Sequence, residues 1–192
     1  MAESTLYWIA KNDYLSQSEM ENNALLIWSF LGSRGWTREA VSAVLGNMQH
    51  ESTINPGIWE SLVAYSGGYG LVQWTPYTKY SEWAGVGWEN NGNKQCERIV
   101  YEVENGLQWS ANPKAPIINP PITFKQFSIS TLSVETLANY FLWYYEHPDV
   151  TIQPARAEQA KNWYNFLDGV TPAPTPTTNR KRMPIWMYIR RF

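Results

Sequence analysis

The chain has 192 residues, which is enough for one domain with a sizeable hydrophobic core. The formal net charge is −2, and all 17 acidic residues precede position 171, whereas five of the 15 basic residues lie in residues 179–192. The acidic character of residues 1–170 argues against nucleic acid as a partner, because binding to phosphates requires a basic surface. The sequence has no run of about 18 apolar residues, so we predict no membrane span. We also expect no signal peptide.

Cysteine and histidine are scarce, which argues against metal chemistry. Cys96 falls on an apolar helical stripe, so we predict a buried structural thiol, not a nucleophile. His50 and His147 are too few for a His-rich metal site, and no Cys/His cluster has zinc spacing. We therefore expect no metal and no cofactor. The 11 Trp and 12 Tyr can fill a core, but so many in one domain also indicate that some line a groove.

Two helices are predicted near the start of the chain. Ser18 and Glu21 have the spacing of a capping box, and the first helix should run to about Leu31. Thr37 can cap a second helix that runs to about Glu51, where an Asn-Pro-Gly break follows.

The next stretch, residues 58–77, has little helical periodicity. Its closely spaced glycines and a following proline predict a glycine-rich loop or a short hairpin. Further helices are predicted at residues 78–84, 93–104 (with its charged residues outside), 133–145 and 154–168, with an irregular proline-rich stretch at 112–121.

A change of composition marks a domain boundary near residue 170. Residues 171–178 contain only Thr, Pro and Ala and predict an extended linker. We therefore expect one domain at 1–170, a Pro/Thr linker at 171–178, and a basic aromatic tail or the start of a truncated further module at 179–192.

One carboxylate, Glu51, stands where an apolar residue is expected. The stripe before it consists of Val41, Val44, Leu45 and Met48, at the offsets of one buried helix face. The next inward position is Glu51. A carboxyl group at the end of a buried face resists ionisation, which suits it to donate a proton near neutral pH. The alternative is a helix-end glutamate that turns to solvent.

A second segment, Gly-Tyr-Gly-Leu-Val-Gln-Trp-Thr-Pro at residues 68–76, follows Gly-Asn-Met-Gln-His-Glu-Ser at 46–52. Together they resemble the phage tail lysozyme family, the lysozyme-like domain of phage tail peptidoglycan-degrading enzymes in the lysozyme and lytic transglycosylase superfamily. The resemblance covers about residues 15–168 and includes later segments such as Asn-Tyr-Phe-Leu-Trp-Tyr-Tyr-Glu-His-Pro. It implies an α+β, mostly α, lysozyme-like fold with a small β hairpin lining the substrate cleft.

The resemblance also implies roles for residues of both segments. A helix that ends in Glu-Ser supplies the catalytic acid in that superfamily, which points to Glu51. Gly67, Gly68 and Gly70 would let the backbone approach a sugar closely. Gln73 can donate and accept hydrogen bonds, which suits hydroxyl and N-acetyl groups.

Aromatic residues complete the expected binding set. Tyr69 and Trp74 can offer ring faces to sugars, although the same pattern also fits a hairpin with one buried ring. Tyr145 and Glu146, at the end of an apolar helix, are assigned to the substrate-binding set as well.

A second carboxylate is harder to place. No Asp or Glu lies between Ser61 and Ser81, and Glu60 follows a Pro-Gly break. Glu146 ends a largely apolar helix, as Glu51 does, but we favour a structural role, either as a polar residue at the helix C-terminus or as a hydrogen-bond anchor for the following loop. Glu51 is therefore expected to act as the sole obligatory acid.

The neighbours of the acid have simpler interpretations. Adjacent helix residues do not share a face, so His50 is expected to be a surface or packing residue. Ser52 lacks a nucleophile elbow, and the resemblance implies that it braces the fold near the acid.

These features predict a muramidase that cleaves peptidoglycan glycan strands as part of a phage tail. Its partners would be the glycan strands and other tail proteins, with neither nucleic acid nor membrane, and it would act from the virion on the bacterial wall. Two alternatives stay open: a lytic transglycosylase that forms a 1,6-anhydro product, and a non-catalytic wall-binding or structural module. A peptidase lacks support, because no HExxH motif or Cys/His pair is present.

Overall fold

The structure, a computed structural model, describes residues 6–172. Within them the chain forms helices and one two-stranded antiparallel sheet. The helices are α1 (Gln17–Gly32), α2 (Arg38–Ser52), α3 (Thr78–Ala84), α4 (Gly92–Asn105), α5 (Phe124–Ser128), α6 (Val134–Phe141) and α7 (Pro154–Phe166). The strands are β1 (Trp59–Ser61) and β2 (Ser66–Tyr69), and a π-helical segment (Leu142–Glu146) continues α6. The predicted fold class, α+β and mostly α with a small lysozyme-like hairpin, is confirmed.

Part of the predicted organisation falls beyond this range. Residues 173–192, with most of the predicted linker and the whole basic tail, lie outside the described residues. Among the helices of residues 6–172, none combines the length and apolarity needed to cross a membrane.

The cap of helix α1 is Ser16, two residues before the predicted cap at Ser18. The side chain of Ser16 accepts a hydrogen bond from the backbone of Glu19, and the carboxylate of Glu19 accepts one from the backbone of Ser16. The chain therefore contains two overlapping Ser-x-x-Glu patterns, and the predicted one at Ser18 is not used. Glu19 also binds Lys11 at 2.9 Å, which ties the lead-in segment to the helix.

Helix α2 is the centre of the fold. Ten of its 15 residues are buried, and it packs against α1, α5, α6 and α7. Its predicted cap, Thr37, accepts a hydrogen bond from the backbone of Ala40. At its other end Thr53 adopts a left-handed conformation with φ of 52°, which ends the helix directly after Glu51 and Ser52.

Helix α7 approaches α2 more closely than an ordinary side chain would allow. A Cβ atom at Gly46 would lie 2.6 Å from the backbone oxygen of Arg156 and from the backbone nitrogen of Ala160. Glycine at position 46 therefore permits backbone contact between the two helices. This contact places Arg156 beside the last two turns of α2.

The helix predicted to extend through Tyr145 changes geometry before its end. The α-helical part ends at Phe141, and the π-helical segment carries the chain to Glu146. The predicted inward positions are confirmed, since Val134, Leu137, Ala138, Phe141, Leu142 and Tyr145 are all buried. A π-helical turn is a rare feature that occurs often at functional sites.

Short helix α5 was missed by the sequence-based prediction. Thr123 and Gln126 form a capping box around it, and Phe124 and Phe127 enter the core. Five residues are too few to show a helical period, so only the cap could have indicated it.

The hairpin is attached directly to the end of α2. Strands β1 and β2 pair Trp59 with Tyr69. The hydroxyl oxygen of Ser52 lies 2.8 Å from the carbonyl oxygen of Leu71 and 3.0 Å from that of Met48. The expectation that Ser52 braces this region is confirmed.

The single cysteine lies in the core. Cys96 is fully buried in α4, as predicted, and burial raises the pKa of its thiol far above the usual range. This thiol is therefore structural and unreactive.

Candidate active site

A cleft of about 460 Å³ lies between the hairpin and the helical part. The end of α2, strand β1, the loop after β2, helix α3 and the π-helical segment all contribute to its walls. Its lining residues are Tyr14, Glu51, Ile58, Trp59, Glu60, Val72, Gln73, Trp74, Thr75, Lys79, Gln108, Tyr145, Glu146 and Pro148. Three of them, Glu51, Glu60 and Glu146, carry carboxyl groups.

Glu51 lies in the cleft but is not the isolated buried acid that the stripe predicted. Its side chain is 23% exposed, and its Oε1 accepts a hydrogen bond of 2.5 Å from Nη2 of Arg156. The side chain of Arg156 is only 5% exposed. The carboxyl group at the end of the apolar stripe is thus paired with a cation from another helix.

Arg156 is held by three side chains at once, those of Glu51 and Asn47 on α2 and of Gln153 directly before α7. Its Nε donates to Gln153 at 2.7 Å, and its Nη1 donates to Asn47 at 3.2 Å. The guanidinium therefore has a fixed orientation toward Glu51. Sequence reasoning missed this residue, although a signal existed. Arg156 occupies the same face of α7 as the buried residues Ala160 and Trp163, where a cation needs a partner.

Glu146, unlike Glu51, has a carboxyl oxygen, Oε1, that is buried without a hydrogen-bond partner among the residues that the structure describes. Burial raises the pKa of Glu146 well above its usual range, and the charge of Glu51 raises it further, while Arg156 opposes the shift. The predicted role as a hydrogen-bond anchor is not supported for this oxygen. Glu146 is thus a carboxyl group whose protonated form is favoured by its surroundings.

We expect Glu146→Gln to stabilise the protein increasingly as the pH rises. Since the pKa of Glu146 is higher in the folded than in the unfolded chain, the contribution of Glu146 to wild-type stability falls as the pH rises above about 4.5. Glutamine has no proton to lose, so the variant's advantage in unfolding free energy should grow by at most about 1.4 kcal/mol per pH unit. Urea denaturation between about pH 4 and pH 8 measures it. A constant difference would contradict the prediction.

Glu102 forms a buried anchor behind the cleft. It is fully buried and accepts three hydrogen bonds: from Trp74 Nε1 at 3.0 Å, from Arg98 Nε at 2.8 Å and from the hydroxyl of Tyr145 at 2.6 Å. The sequence placed the charged residues of this helix outside, and for Glu102 that prediction is wrong. Burial raises its pKa, and the three donors oppose this shift. Glu102 thereby fixes both Trp74 and Tyr145, which line the cleft.

The cleft contains only part of the predicted binding set. Gln73, Trp74, Tyr145 and Glu146 line it with Glu51, whereas Tyr69 and Gly70 do not.

Tyr69 cannot present the ring face that the sequence suggested. It is 1% exposed, its ring packs against Trp59 and Trp88, and its hydroxyl accepts a hydrogen bond from the backbone of Asn90. Trp74 is 2% exposed and stacks on Tyr80, so it shows little of its face. Half-buried Trp59, which sequence reasoning missed, is the more accessible ring in the cleft.

Two glycines of the loop make room for neighbouring side chains. Gly70 has φ of 77°, and a Cβ there would lie 2.4 Å from Oε1 of Gln95. A Cβ at Gly68 would lie 2.9 Å from Oε1 of Gln73. Close packing of side chains around the loop therefore requires glycine at these two positions.

Gln73 has a structural task as well as a place in the cleft. It adopts φ of 50°, and its Nε2 donates to the carbonyl oxygens of Gly70 at 3.0 Å and Ile58 at 3.3 Å. Its amide thus holds the loop against the hairpin. A residue in this sparsely populated conformation is typical of a functional site.

The hairpin does provide a carboxylate, contrary to the sequence-based expectation. Strand β1 begins at Trp59, so Glu60 belongs to the hairpin and lines the cleft. Its Oε2 accepts a hydrogen bond of 2.8 Å from the backbone of Gly68 on the opposite strand. Although a Pro-Gly break separates them in sequence, Glu60 and Glu51 therefore line the same cleft.

The fold and the cleft together define a lysozyme-like protein, with a carboxylate at the end of a central helix and a hairpin beside it. Residues 22–167 match the family model described as phage tail lysozyme, and the chain belongs to that family. It is similar to Morphogenesis protein 1 of Bacillus phage B103, with 47% identity over 168 residues. The match covers 83% of this chain and 43% of that protein, so the chain spans less than half the length of this relative.

Proposed function

We propose that this protein is a muramidase of a phage tail. It hydrolyses the β-1,4 bond between N-acetylmuramic acid and N-acetylglucosamine in peptidoglycan and opens the host wall locally while the genome enters the cell. The observation that carries the proposal is the meeting of two carboxyl groups, Glu51 from α2 and Glu60 from the hairpin, in one cleft. Membership of the phage tail lysozyme family supports the glycosidase chemistry and the substrate.

The geometry suggests different roles for the carboxyl groups of Glu51 and Glu60. Glu51 protonates the glycosidic oxygen, so that the C1–O bond breaks and its electron pair goes to the leaving sugar. Positive charge then develops on the remaining sugar ring. The carboxylate of Glu60 stabilises this charge electrostatically. Water attacks C1 and returns a proton to Glu51.

The other lining residues suit a glycan. Trp59 supplies an aromatic surface for a sugar ring. Gln108 and Thr75 supply polar groups. Lys79 is the single Lys or Arg among the residues that line the cleft, and it suits the carboxylates that peptidoglycan carries on its stem peptides.

The virion context rests on the two matches. A phage tail lysozyme family and a phage morphogenesis relative both point to a component of the virion. The Pro/Thr composition of residues 171–178 supports tethering of the domain to a larger assembly.

Product analysis tests the proposed function. Purified peptidoglycan is digested, reduced with borohydride and examined by mass spectrometry. Hydrolysis should yield fragments with reducible muramic acid ends. Fragments that end in 1,6-anhydromuramic acid would instead show a lytic transglycosylase. Binding to the wall without released fragments would show a non-catalytic module. Heat-denatured protein serves as the blank.

A further inference from the structure

The segment before α1 contributes a residue to the cleft. Residues 9–15, which we call the lead-in segment, form neither helix nor strand, yet Tyr14 lines the cleft together with Glu51 and Trp59. The lead-in segment precedes residue 22, where the match to the phage tail lysozyme family begins. What it adds to the cleft therefore follows from the residues of this chain and not from the family.

Two fully buried asparagines hold the backbone of the lead-in segment. Asn23 of α1 accepts a hydrogen bond from the backbone nitrogen of Ile9 at 3.0 Å and donates to its carbonyl oxygen at 2.8 Å. Asn55 accepts from the backbone nitrogen of Lys11 at 3.3 Å and donates to the carbonyl oxygens of Lys11 and Asp13, both at 2.7 Å. An irregular segment lacks the regular backbone partners of a helix or sheet, and these amides supply them. The lead-in segment is thus fixed to the core.

The lead-in segment also joins the hairpin to the end of α2. The side chain of Asn12 accepts a hydrogen bond of 2.9 Å from the backbone nitrogen of Trp59 in β1. The backbone nitrogen of Leu15 donates at 3.0 Å to the hydroxyl oxygen of Thr53, the residue that ends α2. Tyr14 therefore lies between an anchor on the hairpin and an anchor on α2, the two elements that carry Glu60 and Glu51.

The side chain of Tyr14 is open to a ligand. Tyr14 is 63% exposed, and within residues 6–172 its ring stacks on no other ring and its hydroxyl makes no hydrogen bond. The other two rings discussed for this cleft are already in contact with aromatic neighbours, Trp59 with Tyr69 and Trp74 with Tyr80. A tyrosine on a fixed backbone has only two side-chain torsions to order, so it offers a large contact area at a low entropic cost.

On the basis of the proposed glycosidase function, we propose that Tyr14 is a sugar-binding residue at the mouth of the cleft. Its ring stacks on the face of a pyranose ring of the glycan strand, where C–H groups present an apolar surface. Its hydroxyl can bond to the hydroxyl or N-acetyl groups around that ring. Tyr14 is exposed whereas Glu51 is half-buried, so Tyr14 binds the strand without taking part in bond cleavage.

Titration calorimetry tests this contact without turnover. The probe is soluble peptidoglycan glycan strands whose stem peptides have been removed by an amidase, and all proteins carry Glu51→Gln so that the strands stay intact. Adding Tyr14→Ala should weaken the Kd by about three- to tenfold, because the stacked ring is lost. Adding Tyr14→Phe, which keeps the ring, should leave the Kd within about twofold of the parent.

Tyr7→Ala is the matched control. Tyr7 is 72% exposed and precedes the lead-in segment, but it is not among the residues that line the cleft, so its removal should leave the Kd unchanged. Both alanine variants remove largely exposed side chains and should therefore fold normally, which thermal unfolding checks.

Three results would overturn the role of Tyr14. They are an unchanged Kd in the Tyr14→Ala variant, a Tyr14→Phe variant as weak as Tyr14→Ala, and a parent protein that binds no strand. Fragment release by wild-type protein together with an unchanged Kd in Tyr14→Ala would overturn this inference alone. Weaker binding by Tyr14→Ala without fragment release by wild-type protein would instead overturn only the proposed hydrolysis.

Discussion

Replacing Glu51 by glutamine should lower kcat on purified peptidoglycan by a factor of about 10² to 10⁴. Glutamine has nearly the same shape, and its amide oxygen can still accept the hydrogen bond from Arg156. It cannot carry an acidic proton to the glycosidic oxygen. The loss should therefore appear in kcat, with little change in KM, because binding of the glycan depends on the other walls of the cleft.

Release of soluble fragments under single-turnover conditions measures this effect. Glu104→Gln provides the matched control, since it makes the same chemical change at an exposed position outside the cleft. Thermal unfolding should show that Glu51→Gln is folded. Wild-type rates in a folded Glu51→Gln variant would move the acid role to another carboxyl group of the cleft.

Replacing Glu102 by alanine should have the largest effect on stability, a loss of about 3–5 kcal/mol in unfolding free energy. The carboxylate is fully buried and accepts hydrogen bonds from Trp74, Arg98 and Tyr145. Its removal leaves three donors without an acceptor, and one of them is a cation whose side chain is only 12% exposed. An unpaired charge of this kind is far more costly than the pair is favourable.

Urea denaturation of Glu102→Ala and Glu104→Ala compares a buried with an exposed glutamate on the same helix. The second change should alter stability by about 0.5 kcal/mol or less. Glu102→Gln should lie between the two, because it keeps one acceptor oxygen. Equal stability of Glu102→Ala and Glu104→Ala would contradict the role of Glu102 as an anchor. We also expect Glu102→Ala to lose activity at temperatures where it remains folded, since Trp74 and Tyr145 both line the cleft.

The features that depend on residues close together in the sequence were predictable. Helix α2 follows from a repeated apolar pattern and a threonine cap, and it ends where expected. The hairpin follows from closely spaced glycines, and the inward face of α6 from its periodicity. Two exceptions, the cap at Ser16 and the short α5, show where local signals overlap or are too brief.

The sequence by itself determined the mostly α fold class and the family, and it pointed to Glu51 as the first candidate for the acid. Only the tertiary structure decided which side chains surround that acid. Arg156 is 105 residues away in sequence, and Glu146 reaches the same cleft from the end of another helix. A periodic pattern reports which face of one helix is buried, but it carries no information on which distant charge that face meets. The charge state of the candidate site is therefore a property of the packing between α2, α7 and the π-helical segment.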